Sequence, residues 1–176
     1  KAMMQDIMKK YHINDREAII ADIDATYMET KKESGSLNYK NEKSISALLC
    51  HIGKEKMVWD FDLREGSSSP AYGISKIVND FFAKTNEIKI QKLIRSDSAG
   101  YQGEVINICE RKGGYFVIKV SEHYDFDQLV KDKTYTKYED EKDCIYSTDL
   151  IHTMNNTDPF RVVGYTENYE GELFSR

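Results

Sequence analysis

The sequence predicts an α/β domain built on a mixed sheet, followed by a β-rich segment. Three observations support this prediction. Residues 17–24 form an apolar run that ends in acids, which is typical of a strand buried on both faces. Further strand-like runs alternate with two segments of helical apolar spacing. After about residue 122, tyrosines, threonines and charged residues dominate the sequence. The order strand, hairpin, helix, strand, helix, strand predicts a sheet with helices packed on it.

The first half of the domain is predicted from turn and cap residues. Residues 45–52 and 56–63 flank Gly53-Lys54-Glu55 and predict a hairpin. Three serines at 67–69 and Pro70 predict the start of the first helix. The apolar stripe of that helix is Ile74, Ile77, Val78, Phe81 and Phe82.

The second half repeats the alternation. A strand is predicted at 89–94, a helix with Tyr101, Val105, Ile108 and Cys109 on one stripe, and a strand at 115–120. Gly113 and Gly114 predict the end of that helix. At the two ends of the chain, residues 1–15 predict a short amphipathic helix and 160–174 a hairpin.

Composition limits the possible functions. The chain has 176 residues, of which 40% are hydrophobic and 31% charged, as expected for one soluble domain. No apolar run approaches the roughly 20 residues of a membrane helix, so no membrane association is expected. Cys50, Cys109 and Cys144 form an odd set without a CxxC pair, which favours the reducing cytoplasm. The four histidines lack the spacing of a zinc site.

Charge argues only mildly against a nucleic-acid partner. The formal net charge is −5. Residues 122–150 contain nine acids and four bases, so this segment alone accounts for the difference. The remainder of the chain is balanced.

Asp22 and Asp24, within Asp-Ile-Asp-Ala-Thr, allow several interpretations. A calcium-binding EF-hand loop is disfavoured because Tyr27 stands where glycine is required. A strand followed by Asp-x-Asp-x-Thr resembles the first motif of haloacid-dehalogenase phosphatases, with Asp22 as nucleophile and Asp24 as general acid. That family also needs a later pair of acids, whereas Asp97 has no second carboxylate after it.

A third interpretation places a metal site between two strands. On a strand, Asp22 and Asp24 point to the same face. If the strand that leads to Asp97 lies parallel beside the first, the two are about 4.8 Å apart. Carboxylates from both strands could then hold Mg²⁺ ions that act on a phosphodiester. The remaining interpretation is that these acids are ordinary surface charges at strand ends.

Four segments together resemble a known family: 22–32 (DIDATYMETKK), 63–70 (LREGSSSP), 93–105 (LIRSDSAGYQGEV) and 113–120 (GGYFVIKV). In this order they resemble the catalytic core of bacterial insertion-sequence DDE transposases, whose ribonuclease-H-like core is interrupted by a β-rich insertion. The resemblance covers residues 17–121 well and the rest loosely. It implies a partial catalytic core at 1–121 and a β-rich insertion segment at 122–176.

The resemblance also implies site residues. Asp24 and Asp97 match the family's first two metal-binding acids, and Asp22 is the alternative for the first. The implied cofactor is a pair of Mg²⁺ ions, or Mn²⁺. The implied reaction is hydrolysis of DNA at the ends of the element and strand transfer into target DNA, by a possible homodimer in a synaptic complex.

Basic residues are candidates for DNA contacts. Lys31, Lys32, Lys40 and Lys43 follow the first strand and could meet phosphates, or could form an ordinary solvated loop. Arg64 matches the first residue of the family's Arg-x-Gly-Asn turn, although Ser67 replaces the Asn.

The third acid of the family is not found in its expected form. Tyr165 and Glu172 have the spacing of the family's Tyr-x-x-Arg-x-x-x-Glu helix, but Asn168 replaces the Arg and the segment reads as a hairpin. We expect the glutamate beyond Arg176, and a fragment that is inactive alone. The alternatives are a phosphatase that uses Asp22 and a non-catalytic interaction domain of the same fold.

Overall fold

The computed structural model describes residues 10, 17–33, 35–53, 57–120, 133, 135–139 and 144–166. The chain divides into two compact units, Lys1–Ser121 and Glu122–Arg176. The strands are β1 (Ala18–Glu29), β2 (Ser36–Leu37), β3 (Lys43–Ile52), β4 (Met57–Glu65), β5 (Gln91–Ser96), β6 (Tyr115–Ile118), β7 (Thr136–Glu139), β8 (Cys144–His152) and β9 (Phe160–Thr166). The two longer helices are α1 (Ile74–Lys84) and α2 (Gly103–Arg111).

The first unit contains a six-stranded mixed sheet in the order β2-β3-β1-β5-β6, with β4 also paired to β3. β3 runs antiparallel to β1 and β4, whereas β1, β5 and β6 are parallel to one another. The parallel connections pass through α1 and α2, as crossover units require. The predicted mixed sheet with flanking helices is confirmed.

Both described helices pack on one face of this sheet. Alternation along β1 directs Ile19, Ala21 and Ile23 into a core that also includes Phe81 of α1 and Val105 of α2. The opposite face, here called the open face, carries Ile20, Asp22 and Asp24 of β1 and their neighbours on the adjoining strands. Asp22 and Asp24 are therefore on the side of the sheet away from these helices.

β1 extends beyond the predicted strand. The apolar run ends at Asp24, but β1 continues to Glu29 because β3 pairs with it from Ala21 to Glu29. The prediction that Asp22 and Asp24 end a strand is therefore wrong. The acids mark the point where one face becomes exposed, and the backbone remains in the sheet.

The start of α1 also differs from the prediction. The serines at 67–69 do not cap the helix, which begins at Ile74 after Gly73. Gly73 has a φ of 85° and provides no side-chain cap. The Ser69 hydroxyl instead accepts a hydrogen bond from the Ala71 N–H within the preceding loop. By contrast, the predicted end of α2 is confirmed, with Gly113 in the left-handed region at a φ of 65°.

The second unit contains an antiparallel sheet in the order β7-β8-β9, so the predicted β-rich character is confirmed. Tyr165 lies in β9 and is not helical, as expected. The predicted amphipathic helix at 1–15, except residue 10, and the end of the hairpin at 167–174 lie outside the described residues. Among the described residues, no helix has the length and apolar character needed to cross a bilayer.

Candidate metal and nucleic-acid site

Asp24 and Asp97 come directly after the last paired residues of two parallel strands. The pairing of β1 with β5 ends with Asp22 opposite Arg95 and Ile23 opposite Ser96. Asp24 and Asp97 are the next residues along the two chains, one step beyond this last pair, and Asp97 directly follows β5. Because adjacent strands are about 4.8 Å apart, two carboxylates at this step can share a cation.

Among the described residues, each of these carboxylates has one oxygen without a hydrogen-bond partner. Asp24 Oδ1 accepts a hydrogen bond of 2.8 Å from the Ala25 N–H. Asp97 Oδ1 accepts one of 3.0 Å from the Ala99 N–H and so caps a short 3-10 turn at Ser98–Gly100. Both residues are exposed. Within the described part of the chain, both Oδ2 atoms are therefore available to a ligand.

Asp22 is in a different state. Both of its oxygens accept hydrogen bonds from Arg95, Oδ1 from Nε and Oδ2 from Nη2 at 2.9 Å. This ion pair raises the pKa of the Arg95 guanidinium, chiefly through the hydrogen bond to Asp22 and then through the charge of Asp22. Asp22 is thus occupied by a cation of the protein itself.

Arg64 holds loop 66–73, which joins β4 to α1, through hydrogen bonds to its backbone. Arg64 is only 7% exposed. Its Nη1 donates to the carbonyl oxygens of Ser69 and Tyr72, and its Nη2 donates to Ser46 Oγ at 2.7 Å. Burial lowers the pKa of Arg64. Arg64 therefore holds the loop, and its role as a DNA contact stays a prediction.

The same loop is connected to β1 and, through Gln102, to the turn that follows β5. The Tyr27 hydroxyl on β1 donates to the Ser68 carbonyl at 3.0 Å. Gln102 Nε2 donates to the carbonyls of Ala71, at 3.0 Å, and Ala99, at 2.7 Å. Through Gln102, the loop fixes the turn that Asp97 caps.

The four candidate lysines are all exposed. Lys31 and Lys43 line a surface groove together with Glu29, Thr30 and Glu42, so the charges in that groove are balanced. The other two, Lys32 and Lys40, lie in the segment between β1 and β3. Lys40 Nζ lies 5.6 Å from the centre of the Tyr39 ring, a cation–π distance.

The donor chemistry of Asp24 and Asp97 fits Mg²⁺ or Mn²⁺, which prefer oxygen ligands. Within the described residues, no group of three or more His, Cys, Asp or Glu side chains is arranged to hold a metal ion. The carboxylates of Asp24 and Asp97 would therefore need further ligands to hold a metal ion.

Arg95 and Gln102 were missed by sequence reasoning. Arg95 could have been found from the alternation of side chains along a strand, because it lies two residues before Asp97. It faces the same side as Asp22 once the two strands are parallel. Gln102 had no such signal, since its partners are backbone carbonyls of two separate turns.

Comparison with known proteins gives the family. The family model for the transposase DDE domain, group 1, matches residues 1–173. No curated protein sequence matches the chain.

Three solved structures are similar to the chain at low identity. A piggyBac transposase synaptic complex with hairpin DNA is 11% identical, with a TM-score of 0.42, over 73% of this chain and 30% of that chain. The catalytic domain of Mos1 mariner transposase is 8% identical, with a TM-score of 0.43, over 68% and 58%. The Mos1 strand transfer complex is 10% identical, with a TM-score of 0.39, over 68% and 40%.

The chain thus spans 30% to 58% of the length of these structures. The assignment rests on the family model, which covers nearly the whole chain. This chain belongs to the family of transposase DDE domains, group 1.

Proposed function

We propose that this chain is part of a transposase whose Asp24 and Asp97 hold divalent metal ions for cleavage and joining of DNA. The single observation that carries the proposal is the register of β1 and β5, whose pairing ends at Ile23 and Ser96, directly before Asp24 and Asp97. Each offers one carboxylate oxygen, and the preferred ions are Mg²⁺ and Mn²⁺. When bound, such ions supply an activated water and stabilise the leaving oxygen of a phosphodiester.

The protein residues then have separate tasks. Asp24 is fixed by the central strand, and Asp97 is fixed by its own turn and by Gln102. Lys31, Lys32, Lys40 and Lys43 remain candidates for contacts to DNA phosphates outside the metal site. The DNA partner comprises the ends of the element and the target, and the working state is a possible homodimer.

A complete site needs at least one more acid. With Asp24 and Asp97 alone, this chain would bind metal weakly and would not cut DNA. A cytoplasmic location, expected from the cysteines, agrees with Cys50 and Cys109 being free and buried.

The phosphatase alternative is not favoured. A nucleophilic Asp22 needs a free oxygen to attack phosphorus. Both oxygens of Asp22 are bound by Arg95. The non-catalytic alternative predicts no metal binding and is decided by the experiment below.

Manganese binding tests the proposal. Titration of Mn²⁺ followed by electron paramagnetic resonance should show binding that Asp24→Asn and Asp97→Asn each weaken about tenfold or more. Asp80→Asn is the matched control, because Asp80 is a helical carboxylate paired with Lys76 at 3.7 Å. Binding that survives both Asp24→Asn and Asp97→Asn unchanged would refute the metal site.

Iron-mediated cleavage of the polypeptide supplies a second readout. Fe²⁺ bound at the site and treated with ascorbate and peroxide should cut the backbone near residues 24 and 97. Cuts elsewhere, with none at these two positions, would place the metal at a different site.

A further inference from the structure

We propose that Arg95, held by Asp22, contacts a phosphate of the DNA strand that lies over Asp24 and Asp97. This inference rests on the proposed function, because it places DNA on the open face of the sheet. It assigns the role of a phosphate-binding residue to Arg95, and that of a positioning residue to Asp22.

The first support is position. Arg95 lies opposite Asp22 on the open face, and the two residues come two positions before Asp97 and Asp24 along the chain. Two residues along a strand span about 7 Å. An arginine side chain can cover this length, so a phosphate near the two acids, or the next one along the strand, is within its reach.

The second support is the number of free donors. A guanidinium has five N–H donors, and Asp22 uses two of them, one on Nε and one on Nη2. The remaining three, including both on Nη1, have no partner among the described residues. Arginine side chains with donors left over are well suited to phosphate oxygens.

The third support is charge. Asp22, Asp24 and Asp97 place negative charge where a polyanion would have to approach. Among the described residues of β1, β5 and β6, Arg95 is the only lysine or arginine whose side chain is on the open face. Its side chain is 57% exposed, compared with 24% for Asp22. The Arg95 side chain is thus accessible to a ligand, whereas the side chain of Asp22 is largely covered.

The fourth support is rigidity. An unpaired surface arginine loses side-chain entropy when it binds a phosphate. Two parallel hydrogen bonds to Asp22 already restrict the guanidinium, so less freedom remains to be lost on binding. A simple strand-to-strand ion pair would explain the Asp22 contact, but it would predict no role in DNA binding.

Salt dependence of DNA binding separates these two roles. The probe is a fluorescein-labelled 20-base-pair duplex, whose binding is followed by anisotropy in EDTA at several KCl concentrations. One phosphate contact contributes about 0.9 to the slope of log K against log [salt]. Arg95→Gln should therefore lower the slope by about 0.9, which is about an eightfold loss of affinity at 0.1 M salt. Arg95→Lys keeps the charge and should restore the slope.

Lys84→Gln is the matched control. Lys84 is also a partly exposed cation paired with a carboxylate, Asp60, but it lies at the end of α1 on the helix-covered side. It removes the same charge and should leave the slope unchanged. A slope for Arg95→Gln equal to that of Lys84→Gln, or no measurable binding by the wild type at 50 mM KCl, would overturn the inference.

The failure of this inference can be distinguished from failure of the proposed function. DNA binding in EDTA does not depend on metal, whereas the Mn²⁺ titration does not depend on DNA. Metal binding lost in Asp24→Asn together with an unaltered slope in Arg95→Gln would remove only the role of Arg95. The reverse pair of results would keep Arg95 as a phosphate contact and remove the metal site.

Discussion

Replacing Arg64 with methionine removes the donors that hold loop 66–73 but keeps a side chain of similar length. Hydrogen bonds from a charged donor contribute about 1.5–3 kcal/mol each. Arg64 makes three, to the carbonyls of Ser69 and Tyr72 and to the hydroxyl of Ser46. The lower end of that range applies, because Ser69 and Tyr72 are exposed and their carbonyls can regain water.

One further effect reduces the loss. Arg64 Nε is buried without a hydrogen-bond partner among the described residues, and such an atom costs about 1–3 kcal/mol. Methionine removes this cost together with the favourable bonds. We therefore expect Arg64→Met to lower the free energy of unfolding by about 3 kcal/mol.

Urea denaturation followed by tryptophan fluorescence measures this loss. Trp59 is the only tryptophan, and its ring centre lies 6.2 Å from that of Phe81 in the same unit. With a slope of about 2 kcal/mol per molar urea, the midpoint should fall by about 1.5 M. Lys76→Met removes an exposed ion pair with Asp80 and should cost about 0.5 kcal/mol or less. A loss for Arg64→Met no greater than for Lys76→Met would refute this reasoning.

Three further predictions concern buried thiols, a glycine and an amide. Burial raises the pKa of both Cys50 and Cys109 from 9.0 to about 12. The stability that the two neutral thiols contribute is complete below pH 9 and is lost as the pH rises toward 12, by up to about 1.4 kcal/mol per pH unit and thiol. The urea midpoint of the double alanine variant should therefore fall less steeply over this window than that of the wild type. Equal slopes would contradict the prediction. Gly66→Ala should cost about 2–3 kcal/mol in thermal melts because its Cβ would overlap a backbone carbonyl of β3. Gly53→Ala, whose nearest contact would be 3.5 Å, should cost about 0.5 kcal/mol or less, and equal losses would rule out the overlap. Gln102→Ala should weaken Mn²⁺ binding about tenfold, and unchanged binding would show that the turn does not need its amide.

The sheet could be predicted from sequence because its strands carry strong local signals. The apolar run before Asp22 and the hairpin around Gly53 identify the strands, and the intervening helix makes β1 and β5 parallel. The end of β1 could not be predicted. From Asp24 onward, one face of the strand is exposed, and only the distant residues of β3 keep its backbone paired.

The site was predictable to the extent that topology alone decides it. Asp24 and Asp97 follow from parallel pairing of two strands. The pairing of Asp22 with Arg95 depends on the register of β1 and β5, because a shift of one residue would move the side chains of one strand to the opposite face. The serines at 67–69 have the chemistry of helix caps, but the carbonyls of their loop are bound by Arg64, Tyr27 and Gln102, and this tertiary network prevails over local preference.

The two strand pairings of β1, with β3 and with β5, differ in length. The backbones of Asp24 and Asp97, the proposed ligands, therefore differ in how easily they open. Antiparallel pairing with β3 continues past Asp24 to Glu29, whereas parallel pairing with β5 stops at Ile23. The backbone at Asp24 therefore opens only when the central sheet opens, while Asp97 belongs to a turn of three residues that can open locally. Metal binding should slow amide hydrogen exchange at Ala99, the residue that donates to Asp97, more than at Leu49, which pairs with Asp24. The occupancy of the site would thus be coupled to the local folding of one short turn.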